Sequence, residues 1–328
     1  MPVHKLRMPW KRAGMENNIN MKFGIDLGGS HVAIGLVDDN HEIIEKRTYY
    51  MNDRGEQPLE NYILSSIVTG INEILMSTKN TLEKIETIGI ATPGNPKDGK
   101  IGNVVNLGIK QFCIEESIRQ AFGKSIEHVK INLANDGKCA GLSEKFCGSL
   151  KEYDDCIFLC IGTGIGGAVF LGGNFLKPKR NAGFEFGHMI IGKDGNQKCK
   201  CGNTGCFEAY CSKLKFKSQM QEILGIHEYI GAKDLIRKVN ENLENPAVKK
   251  LLDEYVNNLA IGIANIINIF EPEAISIGGS MSHYDSLILN RLREKLNNGE
   301  YLFNKDNPPK ILTAQAGNDA GIIGATLI

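Results

Sequence analysis

Apolar residues recur along this chain with two periods, and the switches between them outline its elements. From Lys22, short runs rich in Ile, Val and Phe are separated by turn residues. The runs at 22–27, 32–38 and 42–50, joined by Gly-Gly-Ser and Asp-Asp-Asn, predict a three-strand meander. Pro58 then opens a stretch in which Leu59, Ile63, Ile67, Ile71 and Ile74 recur at three- and four-residue steps, the spacing of a helix with one buried face. A buried strand at 85–91 ends in Thr92-Pro93-Gly94, and the loop after it contains Asn103 and Asn106. A short helix at 114–122 and a strand at 129–133 follow, and the strand delivers Asn135 and Asp136 at its carboxyl end.

The strand period then returns. Runs at 156–161 and 167–170 flank a glycine-rich turn at 162–166, echoing the first meander about 135 residues later. An echo at that distance marks a duplicated α/β lobe rather than a short-period solenoid. Pro246 opens a long helix through Leu252, Val256, Leu259, Ile263, Ile267 and Phe270, and Pro272 stops it. A strand at 274–277 runs into Gly278-Gly279-Ser280, with a helix expected at 286–296. A last strand at 310–315 leads to a helix at 318–328, capped by Asn318 or Asp319. Strands alternating with helices predict an α/β fold.

Composition narrows the function classes. At 328 residues the chain can bury a large core and form two lobes. Lys+Arg and Asp+Glu both number 38, so no net charge points to nucleic acid or an anionic membrane. Nine cysteines without a secretory h-region or an apolar run of ~20 residues suit reduced thiols in the cytoplasm. Residues 1–20 hold Lys5, Arg7, Lys11 and Arg12 before the first acidic residue. They show no core periodicity and are expected to form a disordered extension.

The densest chemistry lies in GFEFGHMIIGKDGNQKCKCGNTGCFEAYC, from Gly183 to Cys211. Cys199, Cys201 and Cys206 fall close together after His188, with Gly202 and Gly205 between them to allow a tight knot. Three thiolates and an imidazole at this spacing suit one structural zinc, with Zn–S bonds of about 2.3 Å. The alternative is a set of buried free thiols or disulfide halves. Cys211 could also replace His188 as the fourth ligand. Glu185 and Glu208 flank the cluster and read as hydrogen-bond acceptors for a polyol, against the plainer reading of solvated acids.

Three glycine turns add a second theme. Asp26-Leu27-Gly28-Gly29-Ser30 and Gly162-Thr163-Gly164 end strands in the two meanders. Their backbone N–H groups can approach phosphate oxygens from both sides. Gly278-Gly279 could admit an adenine. None has the spacing of a Walker loop or a dinucleotide fingerprint. Asp136 follows a strand, where a carboxylate can take a proton from a hydroxyl, yet Asn135 or Asp136 would equally well cap the next helix. The single histidines, His31 among them, read as surface or satisfied core residues.

Glu185-Phe186-Gly187-His188 matches E-x-G-H, and the stretch from Cys199 to Glu208 matches C-x-C-G-x-x-G-C-x-E. In both, the chain resembles the ROK family of sugar kinases and repressors. The glycine turns look like the phosphate and adenosine motifs of the two-lobed actin–hexokinase–chaperone ATPase fold, and the resemblance runs from about residue 22 to 328. It implies an extension at 1–21 and a small lobe at 22–134 completed by the helix at 318–328. The large lobe would then span 135–317 and carry the zinc loop. It also implies Asp136 as catalytic base, with Asn106, Asn135, Glu185, His188 and Glu208 on the sugar. ATP with Mg²⁺ would bind Asp26, Gly28, Gly29, Ser30, Gly162, Thr163, Gly164, Gly278 and Gly279, Asp26 assisting the metal. The expected reaction is phosphorylation of a hexose, glucose first, at its 6-hydroxyl, in a cytoplasmic homodimer. Another hexose or an N-acetylated amino sugar is the alternative, as is a sugar-sensing regulator. Only 25 residues precede Asp26, few for a DNA-binding domain.

Overall fold

A computed structural model describes residues 21–102, 108–179, 183–192 and 197–328. The readings made for residues 1–20 and for Asn106 lie outside them.

Two five-stranded sheets carry the same internal order. The first contains β1 (Met21–Leu27), β2 (His31–Val37), β3 (Ile43–Tyr50), β4 (Ile85–Thr92) and β5 (Lys130–Asn135), arranged β3-β2-β1-β4-β5. The second contains β6 (Cys156–Ile161), β7 (Ile165–Leu171), β8 (Asn174–Phe175), β9 (Ala274–Gly278) and β10 (Lys310–Thr313), arranged β8-β7-β6-β9-β10 when read from the matching edge. In each sheet the hairpin strands pair antiparallel and the two later strands join parallel. The echo seen in the sequence is therefore a repeat of a whole sheet.

Helices α1 (Leu59–Thr78) and α2 (Ile114–Phe122) serve the first sheet. The α1 stripe of Ile63, Ile67, Ile71 and Ile74 is fully buried against Phe23, Ile25 and Ile34. Each such side chain contributes about 1.5–3 kcal/mol by leaving water. Lys79 ends the helix in the left-handed conformation (φ 54°). On the second sheet, α7 (Pro246–Phe270) begins behind Asn245, whose side chain accepts from Ala247 N at 2.9 Å. Between β8 and α7 the second half carries an insertion absent from the first, with α4 (Phe207–Cys211), α5 (Lys213–Ile223) and α6 (Ala232–Glu241). These three were not expected, because each fully buries only two residues, too few to set a clear apolar period.

Helices α3 (Asp136–Cys147) and α9 (Ala320–Ala325) lie between the sheets, α3 against β6 and β7 and α9 against β1 and β4. Gly89 of β4 and Gly324 of α9 make this stacking possible. A Cβ on Gly89 would overlap the carbonyl of Ala325, and one on Gly324 the carbonyl of Cys139. Backbone meets backbone from the first sheet to α9 and from α9 to α3, and α3 then meets the second sheet with Gly141 against the side chains of Ala168 and Phe158.

Three expectations need correction. The helix expected at 318–328 is a 3₁₀ turn over Gly317–Asp319 followed by α9, and neither Asn318 nor Asp319 caps it. Asp319 has helical backbone angles, and its carboxylate is taken by Lys46 Nζ at 2.7 Å. The helix expected at 286–296 is a π turn over Asp285–Leu289 followed by α8 (Asn290–Asn297), and a 3₁₀ segment over Gly279–Tyr284 precedes it. The β6–β7 turn is shorter than expected, because β7 starts at Ile165.

Candidate active site

The carboxyl ends of β4, β5 and β6 open on one cavity of ≈ 540 Å³, walled by both halves of the repeat. Ligands collect at this edge of α/β sheets. Its lining includes Gly29, Asn135, Asp136, Gly162, Thr163, Gly164, Glu185, His188 and Glu208, so nine residues singled out in the sequence meet there. A shallower groove of ≈ 610 Å³ beside α2 contains none of them, and Arg119 there pairs with Glu115 at 3.0 Å.

Asn135 is the residue that caps α3. Its Oδ1 accepts from Gly137 N at 3.0 Å and Lys138 N at 3.3 Å, while its Nδ2 donates to Gly94 O at 3.0 Å. With the cap filled, Asp136 occupies the first helical position and accepts from Gly137 N at 2.8 Å. Burial pushes the Asp136 carboxyl above its ordinary value, against the opposing pull of its hydrogen bonds. Asp26 is pushed up to about 6, first by burial and then by the negative charge of Asp136. The glycine at position 321 leaves room for the Asp26 carboxylate under α9, and His31 Nε2 stands 4.0 Å from it.

The first glycine turn closes through Gly28 N to His31 O at 2.9 Å, and among the described residues nothing stands within 4 Å of a Cβ placed on Gly29. Asp26, Gly28 and Ser30 lie outside the cavity lining. The second turn closes through Gly162 N to Gly164 O at 2.9 Å. Gly278 and Gly279 adjoin that turn rather than the cavity. Gly278 pairs with Cys160, and Gly279, at φ 69°, packs on the Ile161 carbonyl.

Glu208 is held rather than solvated. Its Oε2 accepts from Ile165 N at 3.0 Å, and a carboxylate fits there because Gly164 has no side chain. Glu185 precedes a 3₁₀ turn over Phe186–His188, and His188 N donates to Glu185 O at 2.9 Å. Phe184 beside it holds φ at 62°, an uncommon backbone for a bulky residue, packed between Phe186 and Phe270.

One ligand atom from each of His188, Cys199, Cys201 and Cys206 lies within 4.8 Å of all the others. Ligands at 2.1–2.3 Å from a tetrahedral zinc would stand about 3.6–3.8 Å apart. Here Cys201 Sγ and Cys206 Sγ are 3.7 Å apart, as are Cys199 Sγ and His188 Nδ1. The donor set and its spacing fit zinc. Gly202 (φ 93°) and Gly205 (φ 87°) supply the backbone turns that bring the thiols together. Cys211 stays out of the group, buried in the core beneath α7 where its carbonyl accepts from Tyr255 Oη at 2.7 Å. None of the nine cysteines is in a disulfide.

Sequence reasoning missed Asn95, Lys138, Phe184 and Lys200, which also line the cavity. Signals existed for two of them. Lys200 stands inside the Cys-x-Cys pair, and Lys138 is two residues beyond Asp136.

The family model of the ROK family matches residues 22–328. The glucokinase of Thermotoga maritima is 28% identical over 324 residues, covering 93% of this chain and 96% of that protein. The N-acetyl-D-glucosamine kinase of Yersinia enterocolitica is 24% identical, covering 94% and 99%. A putative xylose repressor of a Caldicellulosiruptor species is 26% identical, covering 85% and 70%. Among solved structures, the ROK hexokinase of Thermus thermophilus superposes with a TM-score of 0.73 at 25% identity, covering 94% of this chain and 97% of that one.

Proposed function

The chain belongs to the ROK family, and from that premise we propose that it transfers phosphate from ATP to a hexose, glucose first, with Asp136 as general base. The observation that carries the proposal is the division between Asn135 and Asp136. Asn135 takes the helix cap, so the Asp136 carboxylate is left in the cavity that also contains a glycine turn, Glu185, His188 and Glu208.

In this reading the sugar lies against Glu185, His188 and Glu208, with Asn135 and Asn106 on its other hydroxyls. The attacking hydroxyl, the 6-hydroxyl of glucose, meets Asp136. A carboxylate with a raised pKa is a stronger base, and Asp136 accepts the proton as the oxygen attacks phosphorus. The turns at Gly28–Ser30 and Gly162–Gly164 present backbone N–H groups to the donor's phosphates, and Gly278-Gly279 borders its adenine. Bound magnesium supplies charge neutralisation at those phosphates, and Asp26 is the residue that would help hold it. Closure of the lobes would exclude water, so that sugar rather than solvent receives the phosphate.

His188, Cys199, Cys201 and Cys206 would hold zinc, which supplies rigidity to the loop. With Nδ1 on the thiol side, the other ring nitrogen of His188 is left for a sugar hydroxyl. The knot thus orients His188 and, through the short loop to α4, Glu208. We place the enzyme in the cytoplasm, as a homodimer, on its free thiols and its family. Among the described residues no helix is long and apolar enough to cross a membrane.

Likeness to an N-acetyl-D-glucosamine kinase supports a second substrate reading, an N-acetylated amino sugar. A coupled phosphorylation assay over glucose, mannose, fructose, allose, N-acetylglucosamine and N-acetylmannosamine separates the two. The highest kcat/KM is expected with glucose. Saturable sugar binding without turnover on any member would replace the kinase with a sugar sensor.

A further inference from the structure

Helix α5 carries an electrostatic arrangement that the fold does not explain. It begins against the first residue of the second glycine turn, with Lys213 N donating to Gly162 O at 2.9 Å. Ser212 caps it, its Oγ accepting from Lys215 N at 3.4 Å. The first turn has no acidic residue, and Lys213, Lys215 and Lys217 crowd the positive end of the helix dipole. Lys213 and Lys217 are four residues apart, so they share a face and repel. Burial and the charge of Lys217 both lower the pKa of Lys213. Neither lysine has an ion-pair partner among the described residues; Lys217 Nζ instead sits 4.3 Å from the ring centroid of Tyr229, whose side chain is 90% exposed. On the core side of α5, Phe216 meets Tyr284 edge-on at 5.6 Å, and Tyr284 is fully buried with a hydroxyl that lacks a partner among the described residues. Tyr284 closes the 3₁₀ segment that starts at Gly279, and Ser280 Oγ of that segment lies 3.7 Å from the Cβ position of Gly162. The start of α5, the second glycine turn and the segment from Gly279 to Tyr284 therefore meet at Gly162.

Dipole, like charge and partial burial all disfavour two cations at this place, and a bound polyanion would offset their cost. We propose that Lys213 and Lys217 bind the oligophosphate chain of the phosphoryl donor where it leaves the Gly162–Gly164 turn. The proposal rests on the reading that the cleft takes a phosphorylated donor. Lys213 meets the phosphate nearest the turn, and Lys217, steadied on Tyr229, meets the next along the chain. A nucleoside triphosphate and inorganic polyphosphate share this chemistry, and they are separate arms of the test.

Lys213→Gln, Lys217→Gln and the double variant are compared with the parent, using Mg-ATP or inorganic polyphosphate as donor and the best sugar as acceptor. Loss of one charge-assisted phosphate contact should raise the KM for the working donor about tenfold or more, with sugar KM within a factor of about two of the parent. The donor KM of the double variant should also lose most of its dependence on salt, and Lys213→Arg should recover much of the parental value. An unchanged donor KM in the double variant would overturn the proposal, as would a sugar KM rising in step with it. Direct titration with a non-hydrolysable ATP analogue keeps the two levels apart. A parent that binds it but transfers no phosphate refutes the kinase reading alone, and the lysine variants still test the inference by affinity. A parent that neither binds nor transfers from either donor refutes both.

Discussion

The hairpins β1–β2 and β6–β7 hold the same place in two copies of one sheet, and they put different chemistry at the cleft. Next to last in β1 stands Asp26; the matching strand position in β6 is Cys160. Burial raises both, Asp26 to about 6 and Cys160 to about 12, so at neutral pH only the first hairpin carries a charge. The first turn closes on His31, whereas the second is braced from outside by Glu208 through Ile165 N. Glu208 itself comes from the insertion. The first half passes from strand to helix through residues 51–58, the second through 176–245, where the Cys/His knot sits. The repeat places a glycine turn at the end of the first strand in each sheet. The buried carboxylates of Asp26 and Asp136 belong to the β1 and β5 ends of the first sheet, and Glu185, His188 and Glu208 belong to the insertion in the second half.

The largest effect should come from the acid side. Asp136→Asn keeps the size of the side chain and removes its basic oxygen, so kcat should fall by roughly 10²–10⁴-fold while sugar affinity changes far less. Steady-state kinetics with a direct sugar titration measures both. A variant with near-parental kcat would return Asp136 to a structural role and erase the contrast between the halves.

A smaller effect follows from the raised pKa of Asp26. The unfolded chain releases this proton near 3.8 and the folded protein near 6. Stability from this group is therefore full below about pH 4 and is lost as pH rises through 6, by up to about 3 kcal/mol for a two-unit shift. Without magnesium and nucleotide, urea midpoints from pH 4.5 to 8 should show Asp26→Asn gaining on the parent as pH rises. No equivalent slope should arise at Cys160. Equal pH dependence in parent and variant would contradict the assigned burial.

Finer still is a comparison of the two turns themselves. A methyl group on Gly164 would stand 2.5 Å from Glu208 Oε2 and push that carboxylate aside, whereas one on Gly29 would meet nothing within 4 Å among the described residues. Gly164→Ala should raise sugar KM on the order of tenfold, since displacement of a positioning group by an ångström suffices for that. Gly29→Ala should leave sugar KM alone and act, if at all, on the donor. Matching sugar KM values in the two variants would show that the turns are not specialised.

How much of this was legible in the sequence depended on how strongly burial marked each segment. Strands β1, β2 and β6 and helices α1 and α7 bury long, regular apolar sets, so their periods stood out. Helices α5 and α6 each bury two residues, Phe216 and Met220, and Leu235 and Val239, too few to set a period. Glu185, His188 and Glu208 could be named because they lie in or beside a metal-like cluster of cysteines. Asn135 and Asp136 were ambiguous in sequence because the two adjacent residues can exchange roles; only the hydrogen bonds to Gly137 and Lys138 show which one caps. Lys213 and Lys217 were not singled out in the sequence, since nothing there shows that a helix starts against the Gly162 carbonyl.

The central claim is that the Cys/His knot builds the sugar half of the cleft and leaves the donor half alone. Cys201→Ser tests it in one experiment, with zinc content and both KM values measured on the same folded preparation. About one zinc per chain should be lost, and sugar KM should rise ~10–100-fold while the KM for ATP moves much less. A zinc-free, active protein with a parental sugar KM would contradict the claim and reduce the knot to a staple.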